Sequence, residues 1–231
     1  MTHVSDRIVI AGDPHGNFPP ILRACAAREP GTLILLGDCE LRLSLRDTLA
    51  PLFSLGWAVY WILGNKDAET EAAFDNLATD YPEGDISGRV IEAAGLRIAG
   101  LAGVFKPRIW YPRADELHGR IDPPAFHTRQ AFLDSLRPKE HWRGALPLWH
   151  RDSIFPEDFT QPAQQRFDVL VSHEAPSCHR HGFAVIDQMA AHAGARLIVH
   201  GHHHESYVAT LTNGVAVRGL AVAETWELKL A

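Results

Sequence analysis

Five short apolar runs in this chain each stop at a cluster of Asp, Asn or His. Ile8–Gly12 leads into Asp13-Pro14-His15-Gly16-Asn17, and Leu33–Gly37 leads into Asp38. Val59–Gly64 leads into Asn65-Lys66-Asp67, and Val169–Ser172 into His173. Leu197–Val199 leads into His200-Gly201-His202-His203-His204. Runs this short and this apolar predict strands buried on both faces, as in parallel sheets. In an open α/β sheet the carboxyl ends of the strands share one edge, and ligands bind there. Residues from position 13 to position 204 are therefore expected at one site. Their types, Asp, Asn and His, are ligands for hard to borderline divalent metals.

Between the early runs the pattern turns helical. Pro19-Pro20 followed by residues 21–28 predicts a proline-started helix. Leu45–Leu55 predicts a second helix, interrupted or kinked at Pro51, and Glu69–Leu77 a third. Strand-helix alternation implies parallel crossovers, hence an α/β fold. Two short strands follow, at 89–91 and 96–101. From 104 to 166 the periodicity weakens, and the stretch carries Trp110, Tyr111, Trp142 and Trp149 with one helix expected over 123–136. A long irregular segment in a compact domain is often a binding loop, so 104–166 is read as an insertion lying over the site. The α/β pattern resumes at Phe167, with a helix expected over Ala184–His192. A hairpin is expected from Tyr207 to Leu220 about a two-residue Asn213-Gly214 turn. A last strand, Thr225–Leu230, is expected to extend the same antiparallel set.

Composition narrows the picture. The 231 residues fit one large domain, 1–231, and 46% are hydrophobic, enough for a full core. No apolar run nears the ~20 residues that span a bilayer, and the first residues lack a signal-peptide profile. Cys25, Cys39 and Cys178 are too few and too dispersed for a disulfide framework. A cytoplasmic protein is expected, with no membrane partner. The net charge of -6 argues against a surface that grips duplex nucleic acid throughout, though not against a local basic groove. Histidine is the outlier, at 14 residues.

In order and spacing, five segments resemble the motif blocks of the calcineurin-like metallophosphoesterase superfamily. They are Gly12-Asp13-Pro14-His15-Gly16, Gly37-Asp38, Gly64-Asn65-Lys66-Asp67, Ser172-His173 and Gly201-His202-His203-His204. The resemblance implies an αββα sandwich, two mixed β-sheets flanked by helices. It also implies two divalent metal ions, Mn2+ foremost, with Fe, Zn2+, Co2+ and Ni2+ as alternatives. Asp13, His15 and His204 would bind the first ion, Asn65, His173 and His202 the second, and Asp38 both. Such a pair, ~3.5–4 Å apart, suits in-line displacement at phosphorus by a bridging hydroxide. Asp38, Lys66 and His173 are the residues the resemblance places at the chemistry, and Asn65 would also touch substrate. His200 and His203 are expected not to be ligands, because neighbouring extended side chains alternate.

The third block departs from the family, which has histidine where this chain has Lys66. Lysine is a point charge with an unperturbed pKa of about 10.4 and is a poor proton donor near neutral pH. The exchange favours phosphodiesters. If Lys66 faces solvent instead, His118, His127, His150, His179 and His181 lie in loops that could supply a proton. From Arg97 to Arg113 the chain has basic residues and no acidic one. Lys106, Arg108 and Arg113 are therefore expected to contact substrate, since guanidinium forks bind phosphate and aromatic faces stack on bases. The expected function is a dinuclear phosphodiesterase on a nucleotide or short oligonucleotide. A phosphomonoesterase or protein phosphatase is the alternative, and a non-catalytic scaffold of the same fold is a third.

Overall fold

A computed structural model describes residues 7–113, 121–160 and 164–229. Its framework is two stacked sheets. The first has the order β10-β1-β2-β3, made of Thr225–Leu228, Ile8–Ala11, Thr32–Leu35 and Ala58–Trp61. The second has the order β4-β5-β6-β7-β9-β8, made of Val90–Ala93, Leu96–Leu101, Val169–Ser172, Leu197–His200, Ala216–Gly219 and Tyr207–Thr210. β1, β2 and β3 are parallel neighbours, as are β5, β6, β7 and β9.

Alternation along each strand builds three apolar layers. Ile8, Ile10 and Ile34 point between the sheets and meet Ile98, Val169, Val171 and Val199 of the second sheet. Their neighbours Val9, Ala11, Leu33 and Leu35 point outward onto Ile21 and Cys25 of α1 (Pro19–Ala26) and onto Leu45, Leu49 and Leu52. On the far side Leu170, Ile198 and Val217 cover Ile186, Met189 and Ala190 of the helix Ala184–Ala193. β1, β2 and β6 are thus buried on both faces, which is why their sequences are continuous in apolar residues rather than alternating. The order of layers is helix, sheet, sheet, helix.

Several elements differ from expectation. The interruption expected in the helix over 45–55 falls at Leu49, two residues before Pro51, and leaves α2 (Leu45–Thr48) and α3 (Ala50–Leu55). Pro51 falls in the first turn of α3, where a missing N–H costs nothing, so the chain restarts a helix rather than bending one. Glu71–Phe74 (α4) is a single α-turn capped by Thr70 that runs on as a π-turn over Asp75–Thr79. In place of a helix over 123–136 there is only Arg129–Asp134 (α5), started by the Thr128 hydroxyl, which accepts the Ala131 N–H at 3.1 Å. The 207–220 hairpin turns through three residues rather than two. Leu211 pairs with Val215, and only Gly214 takes a left-handed conformation, φ 88°. The last strand does not join that hairpin. β10 crosses to the first sheet and pairs antiparallel with β1, Ile8 opposite Leu228. Trp226 and Leu228 pack there against the layer between the sheets.

The insertion has a small core of its own, Ile109, Phe132, Leu146 and Phe155. It is tied to the carboxyl edge of the sheets by the Gly103 N–H on the Leu63 carbonyl, 2.7 Å, and closed on itself by a bridge from Val104 to Ser153. Among the described residues no helix is long and apolar enough to cross a membrane.

Candidate metal centre

The strand ends converge as the sequence implies. Asp13 follows β1, Asp38 follows β2, Asn65 follows β3, His173 directly follows β6, and His202 and His204 follow β7. Two groups of ligand atoms result, each within 4.8 Å of one another: Asp13, His15 and His204, and Asp38, His173 and His202. The Asp38 carboxylate faces both. Its Oδ2 is 3.9 Å from His15 Nε2 and its Oδ1 is 3.5 Å from His173 Nε2. Asn65 Oδ1 lies 3.2 Å from the same His173 nitrogen. The sheets are stitched here too, because the His202 amide donates to Asp13 Oδ2 at 2.6 Å.

The turns that aim these side chains are left-handed. His15, Asp38, His202 and His204 have φ between 45° and 69°. Such a conformation costs a non-glycine residue on the order of 1 kcal/mol or more, and it clusters at functional sites. The separation of His203 from its neighbours therefore comes from two left-handed turns and not from extended alternation. His203 stacks on His179 with ring centroids 4.0 Å apart, and it forms a third group with Glu174 and His202. His200 is buried and bonds the Tyr207 hydroxyl through Nε2 at 2.7 Å.

The electrostatics suit a cation. Burial, then repulsion from Asp38, pushes the Asp13 carboxyl up to about 8. Burial and Asp38 push the neighbouring Asp67 up to about 7. Burial alone dominates at Glu174, raised to about 8. The imidazoles move the other way, His173 and His202 both to about 4, again chiefly through burial. Carboxyls that keep protons beside imidazoles that refuse them mark a pocket short of positive charge. Asp13 Oδ1 is buried without a hydrogen-bond partner, and His15 Nε2 faces His204 Nε2 at 2.8 Å. Two imidazole nitrogens with Asp13 Oδ2 3.6 Å from that of His204 fit a divalent ion between them.

Three residues that the sequence did not single out hold this arrangement. Asp67 accepts the N–H groups of Gly64 and Cys39, each at 2.8 Å, and of Glu40 at 3.3 Å, locking two ligand loops together. Glu40 takes the Nδ1 side of His15. Glu174 takes the Phe105 amide at 3.2 Å. Only Asp67 lay inside a recognised motif.

Lys66 splits its two ends. Its amide donates to Asp38 Oδ1 at 2.8 Å, while its ammonium reaches outward to Glu69 Oε1 at 2.7 Å. Of the residues expected to touch substrate, Lys106 is engaged by the buried Asp152 at 2.6 Å and by the Trp149 carbonyl. The Arg108 guanidinium sits 5.2 Å from the Phe132 ring and 6.0 Å from that of Trp149. Arg113 donates to the Arg180 carbonyl at 3.0 Å, and its charge reaches Glu174. Of the histidines held in reserve, His150 is buried with Nδ1 on the Ser153 hydroxyl, and His118 lies outside the described residues. A cavity of about 600 Å³ beneath the insertion, lined by Trp61, Arg129, Arg151 and Asp152, includes none of the ligand residues.

The sequence profile of the calcineurin-like phosphoesterases matches residues 6–206, which spans all five ligand-bearing strand ends. The chain belongs to the calcineurin-like phosphoesterase family. It is accordingly a metallophosphoesterase, a hydrolase of phosphoester bonds. A Haemophilus influenzae protein described as uncharacterized is 38% identical over 224 residues, covering 94% of each chain. Two solved structures share the fold at low identity. The phosphopantetheinyl hydrolase PptH of Mycobacterium tuberculosis has a TM-score of 0.54 at 15% identity, covering 94% of this chain and 90% of that one. TT1561 of Thermus thermophilus has a TM-score of 0.53 at 13% identity, covering 94% and 89%.

Proposed function

We propose that this metallophosphoesterase is a phosphodiesterase acting on a nucleotide or short oligonucleotide, with two Mn2+ ions as its native metals. The observation that carries the two-ion reading is the Asp38 carboxylate, whose separate oxygens face separate ligand groups. Asp13, His15 and His204 would hold one ion, and Asn65, His173 and His202 the other. When bound, the ions supply the Lewis acidity and the lowered water pKa that displacement at phosphorus needs. His173 presents a fixed lone pair, because its Nδ1 lies on the Leu36 carbonyl at 2.7 Å and its Nε2 faces the ligand group.

The preference for a diester rests on Lys66. Its ammonium is held by Glu69, which raises its pKa further, so it is no proton donor to a leaving group near neutral pH. A leaving oxygen that departs without protonation suits an activated diester better than an alkyl monoester. The nucleotide preference draws on exposed Tyr111 and Trp149 beside Arg108 and Arg113, since rings stack on bases and guanidinium groups bind phosphate. Cytoplasmic function is supported by three unpaired cysteines, two of them buried.

The test is a substrate panel with Mn2+-treated protein: bis-aryl phosphodiester, dinucleotide, phosphopantetheine ester and alkyl monoester. Faster turnover of diesters, with dinucleotide ahead of phosphopantetheine ester, is expected. An enzyme fastest on alkyl monoesters would instead support the phosphomonoesterase reading.

A further inference from the structure

Two of the histidines at the centre share one arrangement. An oxygen acceptor stands at the ring nitrogen turned away from the ligand group, and the other nitrogen faces in. For His15 the acceptor is the Glu40 carboxylate on Nδ1, with Nε2 towards His204. For His173 it is the Leu36 carbonyl on Nδ1, with Nε2 towards Asp38 and Asn65. An acceptor of this kind fixes the tautomer and aims the free lone pair.

Beside His202 the roles of the nitrogens reverse. Its Nε2 faces Glu174 Oε2, 4.0 Å away, and a shift of about 1 Å brings the two to hydrogen-bond length. Glu174 is buried, and its other oxygen is already fixed by the Phe105 amide at 3.2 Å. It follows His173 directly in the chain, while His202 arrives from β7 and Phe105 from the loop after β5. One carboxylate thus joins three segments at the edge of the centre, with one oxygen committed and one facing an imidazole.

We propose that Glu174 is the positioning residue for His202: its Oε2 accepts the Nε2–H, leaving Nδ1 as the ligating atom of the second ion. The proposal rests on the two-ion reading above. It also accounts for a buried acid beside His173, where a carboxylate with one donor is otherwise costly to bury. Glu174→Gln is the informative change. If the Gln oxygen stays on the Phe105 amide, its NH2 group faces His202 Nε2, a donor where the acceptor was. That favours the opposite tautomer and puts a hydrogen on Nδ1.

The experiment is calorimetric titration of chelator-stripped protein with Mn2+, wild type against Glu174→Gln. Wild type is expected to take two ions. The variant is expected to bind one of them normally and the other about ten- to a hundredfold more weakly. At pH 9, above the value of about 8 to which burial raises Glu174, its denaturation midpoint without metal should be no lower than wild type, because an amide of the same shape then replaces a buried charge. Wild-type affinity for both ions in the variant would overturn the proposal. So would three ions in wild type and two in the variant, which would make Glu174 itself a ligand, with His202 and His203. If wild type takes up no Mn2+, the two-ion reading fails. The His202 tautomer, read by 15N NMR in the stripped protein at pH 9, where Glu174 is ionised, then decides alone: Nε2–H in wild type and not in the variant supports the role, and an unchanged tautomer ends it.

Discussion

Gly201 leaves the space that the Asp13 carboxylate occupies: a Cβ there would stand 2.2 Å from Asp13 Oδ1. Gly64 does the same for Asp38, whose Oδ1 would lie 2.2 Å from an added Cβ, with the Asp38 backbone nitrogen at 2.4 Å. The glycines of the two motifs thus serve close packing of ligand carboxylates. Gly201→Ala is expected to displace Asp13 and to weaken metal uptake by at least about tenfold, with far-UV circular dichroism unchanged. An alanine variant with wild-type Mn2+ affinity would show that the carboxylate moves freely.

Asp38 faces both ligand groups, so its removal should affect both ions at once. Asp38→Ala is expected to lower turnover of an aryl phosphodiester by more than about a hundredfold, and a strong chelator should do the same reversibly to the wild type. Full activity after chelation would exclude metal catalysis.

The metal-free protein should lose stability between pH 6.5 and 8. Asp13, Asp67 and Glu174 hold protons up to about 8, 7 and 8 when folded, whereas the unfolded chain has released them by about pH 5. Folding therefore takes up protons in this window, and stability falls as pH rises through it. The histidines with depressed values oppose this only up to about pH 7.5, by which the unfolded chain has largely released their protons too, so the fall is steepest above it. Thermal melts of stripped protein should give a lower midpoint at pH 8 than at pH 6.5. Divalent metal should reverse the slope, since it binds the deprotonated carboxylates. A midpoint that climbs with pH without metal would contradict the burial of these acids.

Lys66 gives a test of leaving-group chemistry. Lys66→His is expected to raise alkyl monoesterase activity relative to aryl diesterase activity, because imidazole is the better acid near neutral pH. Both rates must be measured for both proteins. A ratio unmoved by the substitution would remove Lys66 from the reaction.

Near the insertion, Lys106 and the two arginines should separate. Lys106→Met breaks an ion pair whose Asp152 side chain is 1% exposed, and should cost about 2 kcal/mol in denaturant unfolding. Arg108→Ala and Arg113→Ala should leave stability and metal uptake in place while raising KM for a dinucleotide. If Lys106→Met is as stable as wild type, Lys106 is free to contact substrate.

The strand ends and the Asp, Asn and His side chains gathered beyond them were legible because both are local: an apolar run, then a polar cluster at fixed spacing. The groups behind the ligands were not. Glu40 and Glu174 look like ordinary acidic residues until folding sets them against His15 and His202, and no spacing rule links position 174 to position 202. The left-handed turns at His202 and His204 were equally hidden, since histidine, though enriched there, takes an ordinary φ at most positions. Secondary structure failed where a cap outweighed periodicity, as at Thr128. β10 failed for a longer-range reason. Thr225–Leu228 reads as a strand, but whether it sits beside the preceding hairpin or beside β1 depends on which apolar surface Trp226 covers.

That last strand also shapes how the molecule assembles. On the ribosome, Ile8–Ala11 is made well before its outer neighbour, which lies 214 or more residues later, with Ala11 opposite Thr225. Until Thr225–Leu228 is made, β1 is an open, wholly apolar edge, the kind that recruits strands from other chains. Closing it requires one of the most distant pairings the sequence offers, which slows folding. This protein should therefore lean on chaperones that shield nascent chains, and its yield should depend more on how fast it is made than on how stable it is once complete.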